Sequence, residues 1–152
     1  MSASTSLLTK DGIAAIIPHA ADMCLLDSVL RWDADTIRCI SITHHRPDNP
    51  MRVKGRLSAI NGVEYAAQAM AVHGALVSKF GAAPRAGYLA SIRDVVCVCR
   101  NLDQFGGELT IDARQLLGNG GHVLYEFLLL AADTVLLSGR AAVVLDVQGV
   151  SL

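Results

Sequence analysis

The sequence carries almost no net charge: thirteen lysines and arginines stand against fourteen aspartates and glutamates, a formal balance of -1. A nucleic-acid binder shows a basic excess, so the chain as a whole falls outside that class, and any charge-driven partner has to be recognised locally. A bilayer-spanning run is lacking too. The longest uncharged stretch in the middle of the chain, Tyr65 to Ser78, contains Gln68 and His73 and falls short of the ~20 residues a spanning helix needs. The opening MSASTSLLTKDG has no basic segment leading into an apolar one, which sets the expectation of a cytoplasmic protein without a secretory signal. Cys24, Cys39, Cys97 and Cys99 show no C-x-x-C spacing, so four free thiols and no metal are expected. No internal repeat, low-complexity tract or linker divides the chain, and 152 residues suit a single domain.

What the sequence has in quantity is apolar surface. It is 52% hydrophobic and only 18% charged, with a mean hydropathy of +0.40, more than a monomer of this size usually hides. An oligomer with an apolar interface follows.

Thr9 is placed to cap a short helix running to Ile17 and stopped by Pro18. Cys24 to Asp33 and Asp35 to His44 are rich in β-branched and apolar residues as strands are, and the Asp33-Ala34-Asp35 link between them suggests a hairpin. Two prolines, an asparagine, an aspartate and a glycine make residues 45 to 57 an irregular loop. Ser58 to Phe80 is alanine-rich, contains no proline and runs into Gly81, which predicts one long helix. Its apolar residues cover most of the circumference, so the helix is expected to be buried all round. Strands follow at Gly87 to Arg100, Glu108 to Leu117, Gly121 to Ala132 and Thr134 to Val147, with a tight turn at Gly118-Asn119-Gly120-Gly121. The element order predicts an α+β fold, an antiparallel sheet wrapped around one central helix.

Several segments sharpen this. Pro18-His19 followed by Met23-Cys24-Leu25-Leu26-Asp27-Ser28-Val29-Leu30, the helix motif Glu64-Tyr65-Ala66-Ala67-Gln68, the strand Gly87 to Ile92 and the turn Leu102 to Leu109 together resemble the hotdog-fold 3-hydroxyacyl-[acyl-carrier-protein] dehydratases, in particular the branch of aryl polyene type pathways. The resemblance implies a single hotdog domain over residues 1 to 152. It implies a cytoplasmic dimer without a cofactor, acting on acyl carrier protein or CoA thioesters in fatty acid or polyene biosynthesis. In such dimers a histidine of one chain works with a carboxylic acid of the other. The resemblance puts the acid at Glu64 and the histidine some fifteen residues earlier, where this sequence has Asn49 followed by Pro50.

Dehydration of a 3-hydroxyacyl thioester needs a base for the proton beside the carbonyl and an acid for the departing hydroxyl. Histidine suits the first, and a carboxylic acid kept protonated by burial suits the second. Glu64 fits the acid, the competing reading being a capping box with Asn61. Gln68, one turn on, is expected to hold the carboxyl or else to be satisfied elsewhere in the core. Backbone amides around Ala59 to Gly62 are expected to polarise the thioester carbonyl, with Gly62, Gln68 and Ala90 lining the substrate. A neutral amide cannot take the α-proton, so three readings stay open. His44 or His45 swings in, the competing reading being a solvated strand end; Asn49 binds the thioester while Glu64 does the acid-base work; or the chain binds acyl groups without dehydrating them. Arg46, Arg52, Lys54 and Arg56 against one acid, Asp48, make a basic rim suited to an acidic carrier protein, or simply a solvated loop. A hotdog thioesterase and a non-catalytic subunit paired with a second hotdog chain are the rival functions.

Overall fold

The structure, a computed structural model, describes residues 7–17, 23–78, 87–119 and 121–145. Pro18-His19, the helix end expected at Phe80-Gly81, and Gly120 of the expected turn lie outside them.

In chain order the elements are β1 (Leu8–Thr9), α1 (Lys10–Ile16), β2 (Ser28–Trp32), β3 (Thr36–Ser41), α2 (Gly62–Ser78), β4 (Gly87–Cys97), β5 (Leu109–Asn119), β6 (His122–Ala131) and β7 (Thr134–Leu145). The seven strands form one sheet in the order β1-β2-β3-β5-β6-β7-β4, each neighbouring pair antiparallel. The sheet curls around α2, which packs on β3, β5 and β6. This is the hotdog fold.

The two-residue period of the strands decides what faces the helix. Ile37, Cys39 and Ser41 of β3, Ile111 and Ala113 of β5, and Tyr125, Phe127 and Leu129 of β6 point inward and are buried. The alternate residues form the outer face, where Arg38 holds Asp112 by two bonds of 2.6 Å. A cavity of about 500 Å³ on that outer face is lined by charged residues including Arg31, Arg38 and Arg140, and none of the residues proposed for the site reaches it.

Four local expectations are corrected. Thr9 does precede α1, but its side chain makes no capping bond; the α1 end is tied down instead by the Lys10 ammonium, which donates to the carbonyls of Cys24 and Leu26. β2 starts at Ser28 rather than Cys24, because the Leu25 peptide bonds to side chains instead of a neighbouring strand. The long helix is preceded by a 3-10 turn over Ala59–Asn61 and becomes α-helical only at Gly62. It is also not buried all round: Tyr65, Ala66, Ala69, Met70, Val72, His73 and Leu76 are covered, whereas Glu64, Ala67, Ala71, Gly74 and Ala75 line a half-buried face.

Gly62 sits where α2 meets the sheet. A Cβ there would lie 2.7 Å from Leu137 Cδ2 and 2.8 Å from Leu129 Cδ2, so the absence of a side chain sets how closely the helix approaches.

Candidate active site

Two segments converge on the N-terminal half of α2: the extended residues 23 to 27 and the loop from Thr43 to Leu57. Glu64 projects from the first turn of α2 on the face the sheet leaves half covered. Gln68, one turn on and buried, donates to Glu64 Oε2 at 3.1 Å and to the Met23 carbonyl at 2.6 Å, while its Oε1 accepts the Leu25 amide at 2.8 Å. All of its hydrogen-bonding atoms are therefore used, and one of them orients the carboxyl. Asn61 turns away from a capping role and donates to the Met51 carbonyl at 3.3 Å.

Asn49 is buried and bonded at both ends of its amide. Nδ2 donates to the Thr43 carbonyl at 3.0 Å and to the Tyr65 hydroxyl at 3.3 Å, and Oδ1 accepts the Met51 amide at 2.9 Å. Its own backbone amide reaches the Arg46 carbonyl. The side chain closes the 43–52 loop on itself and ties it to α2.

The two histidines lie on the other side of that loop. His45 is exposed, with Nε2 2.9 Å from the Gly107 carbonyl. His44 is buried, with Nε2 3.0 Å from the Phe105 carbonyl. The rings stack with centroids 3.8 Å apart. Burial, and then the neighbouring His45, lower the His44 pKa to about 4, so it is neutral at physiological pH. Both rings fasten the loop to the turn after β4.

Three of the backbone amides expected to polarise the carbonyl donate within the chain. Ala59 N–H donates to the Arg100 carbonyl, Asn61 N–H to that of Ser58, and Gly62 N–H to those of Ala59 and Ile60. Gly62 is also packed against the sheet. Ala90 lies at a bulge of β4, exposed on the last strand of the sheet. Three of the four basic loop residues also have internal work. Arg46 pairs with Asp48 at 3.1 Å and Arg56 with Asp103 at 2.9 Å. Arg52 donates to three carbonyls, those of Arg46, Gly55 and His44. Lys54 stands exposed at the tip of a tight hairpin, with φ 53° beside Gly55 at φ 77°.

A family model of ApeP dehydratases, the ApeP-like family, matches residues 12–148 of the sequence. The chain belongs to the ApeP-like dehydratase family. Among solved structures, a chain of the dehydratase heterocomplex ApeI:P from Xenorhabdus doucetiae is 26% identical, with 90% of this chain and 91% of that one covered at a TM-score of 0.79. A thioesterase from Haemophilus influenzae, 13% identical over 91% of each chain with a TM-score of 0.60, shares the fold. So does a hypothetical thioesterase protein with coenzyme A from Streptococcus pneumoniae, 7% identical over 78% of this chain and 84% of that one, TM-score 0.58. A search of curated proteins found no match.

Membership of the ApeP-like family gives the site its chemical class, dehydratase-like, and the geometry adds residues that sequence reasoning missed. Ser41 and Thr43 both donate to the Leu25 carbonyl, and Thr43 meets the Tyr65 hydroxyl at 2.9 Å. A signal was present: Ser41 continues the inward period of Ile37 and Cys39, and a polar residue on an inward register position needs a partner. Asp103 was the other omission. It accepts the Leu57 amide at 2.8 Å and pairs with Arg56, anchoring the end of the loop.

Proposed function

We propose that this chain is the acid-bearing member of a 3-hydroxyacyl thioester dehydratase, with Glu64 protonating the departing hydroxyl and the base supplied by a second hotdog chain. One observation carries the reading. Asn49, at the position where the resemblance expects a histidine, has its whole side-chain amide bonded to its own loop and to Tyr65 of α2, while Glu64 lies on the half-covered face of α2 with Gln68 steadying it. At these two positions the chain offers an acid and, in place of the expected base, an amide. The similarity to a chain of a dehydratase heterocomplex supports a second, different hotdog partner.

In the proposed reaction the partner's base removes the proton from C2 of the thioester. The C2–H electron pair forms the C2–C3 double bond, the C3–O bond breaks, and the departing hydroxyl takes the Glu64 proton and leaves as water. The base ends protonated and Glu64 ionised; proton exchange with solvent resets both. The substrate is carried as a thioester by an acidic carrier protein, with exposed Lys54 the loop cation best placed for encounter and Arg52 and Arg56 adding field rather than contacts.

The test is mass spectrometry of a 3-hydroxyacyl carrier protein incubated with this chain alone, with a histidine-bearing hotdog dehydratase subunit alone, and with both. Loss of water that needs both chains and disappears with Glu64→Gln in this one is the expected result. Water loss by this chain alone would return the base to its own residues, and release of free acid would make it a thioesterase.

A further inference from the structure

Glu64 and Asn49 belong to different segments, yet one run of hydrogen bonds joins them, and it passes through the Tyr65 hydroxyl. Tyr65 is completely buried. Its hydroxyl lies 2.9 Å from Thr43 Oγ1 and 3.3 Å from Asn49 Nδ2. Thr43 Oγ1 is also 2.7 Å from the Leu25 carbonyl and 2.8 Å from Ser41 Oγ.

The hydrogens can be assigned by counting. Asn49 Nδ2 has only hydrogens to give, so the Tyr65 oxygen accepts from it. The Leu25 carbonyl has only lone pairs, so the hydroxyls of Ser41 and Thr43 donate to it. With both hydroxyls donating to Leu25, the Ser41–Thr43 contact holds no hydrogen of its own, Thr43 has none left, and the Tyr65 hydroxyl donates to Thr43. Burial pushes the Tyr65 pKa up, which keeps that donor protonated. The run is directional: Asn49 to Tyr65, Tyr65 to Thr43, Thr43 to the Leu25 carbonyl. On the other side of the same residue the Leu25 amide donates to Gln68, and Gln68 donates to Glu64.

We propose that Tyr65 is a positioning residue for Glu64, acting through Thr43, the Leu25 backbone and Gln68, and that it couples the carboxyl to the closed state of the 43–52 loop. The Leu25 backbone is the pivot, fixed at its oxygen by two hydroxyls and at its nitrogen by Gln68. Removal of the Tyr65 hydroxyl frees Thr43 to rotate and leaves a hydrogen of Asn49 buried without an acceptor, so the pivot and the loop loosen together.

This inference rests on the dehydratase reading for its kinetic consequence but not for its structural one, and two measurements separate them. The first is the side-chain amide resonance of Gln68 in ¹⁵N NMR of the full chain. Tyr65→Phe and Thr43→Val should each move it, Thr43→Ser should restore it, and Tyr125→Phe, which removes another buried hydroxyl, 2.7 Å from His73 and off this network, should leave it in place. The second is turnover by the assembled dehydratase, where Tyr65→Phe should lower kcat about tenfold, as a displaced acid does, with KM unchanged. A Gln68 resonance unmoved by both Tyr65→Phe and Thr43→Val overturns the coupling. A moved resonance with unchanged kcat overturns the positioning role. A wild-type complex that loses no water removes the dehydratase reading and with it the catalytic half of the proposal, while the NMR result still decides the coupling.

Discussion

His44 shows how much a single side chain commits the loop. Its Nε2 is bonded to the Phe105 carbonyl, and Nδ1 is buried with no hydrogen-bond partner among the described residues. Such a ring is stable only while neutral. With its pKa lowered from 6.5 to about 4 by burial and by His45, the unfolded chain takes up a proton between those values that the folded chain refuses. Stability is therefore complete above pH 6.5 and falls as the pH drops towards 4, by up to about 3 kcal/mol from this group. The buried His73 has its pKa lowered in the same direction, again mainly by burial, and adds to the loss. Urea midpoints measured from pH 7 to pH 4.5 should fall steadily in wild type. His44→Gln keeps a donor for the Phe105 carbonyl and should flatten the curve, leaving only the His73 share; a slope as steep as wild type would assign the acid lability elsewhere. At this scale the sequence was readable where contacts follow helix spacing, as with Glu64 and Gln68. It was opaque where partners come from loop geometry. Arg52 counted as a surface cation until its three carbonyls were visible, and the Asn49 bonds to Thr43, Met51 and Tyr65 depend on a fold of the loop that no periodicity announces.

Elements were legible in kind and misjudged at their ends. β3, β5, β6 and β7 stand where alternation put them, because inward-facing apolar residues leave only one register. β2 was overextended because Cys24-Leu25-Leu26 reads as strand from its side chains, while its backbone is engaged by Gln68, Ser41 and Thr43. β4 stops at Cys97, three residues before expected, with bulges between Leu89 and Ser91 and between Arg93 and Val96 and with Asp94 at φ 56°. The start of α2 was set at Ser58 because Ala59–Asn61, a 3-10 turn, reads as helix from its composition; Gly62, where the α-helix begins, packs closely on Leu129 and Leu137, both fully buried. Gly62→Ala should therefore overpack that contact and destabilise the protein by about 1–2 kcal/mol. Chemical denaturation would show it, and a neutral result would mean that the two leucine methyls yield freely and that the helix does not depend on the glycine for its approach.

The excess of apolar residues is explained at the level of the whole molecule by where the single chain leaves them. β4 is the last strand of the sheet, bonded on one side to β7 and on the other to no strand among the described residues. Leu89, Ile92, Val96 and Val98 on and just beyond it are exposed, Val96 by 55%. An eleven-residue edge with apolar side chains is a template for another strand, and soluble proteins cover such edges or blunt them with charge. The face of α2 from Glu64 to Ala75 is only half-buried. A second hotdog chain added along β4 would extend the sheet and hide this edge. Val96→Lys places a charge on the edge without touching the core, since Val96 pairs only with Ser138 in the register. It should leave the chain folded by circular dichroism while shifting it towards monomer in sedimentation velocity, and should abolish dehydration by the mixed complex in parallel with the loss of association. A mutant that stays fully associated would move the interface off β4, and the shared site would then have to be built around a different edge.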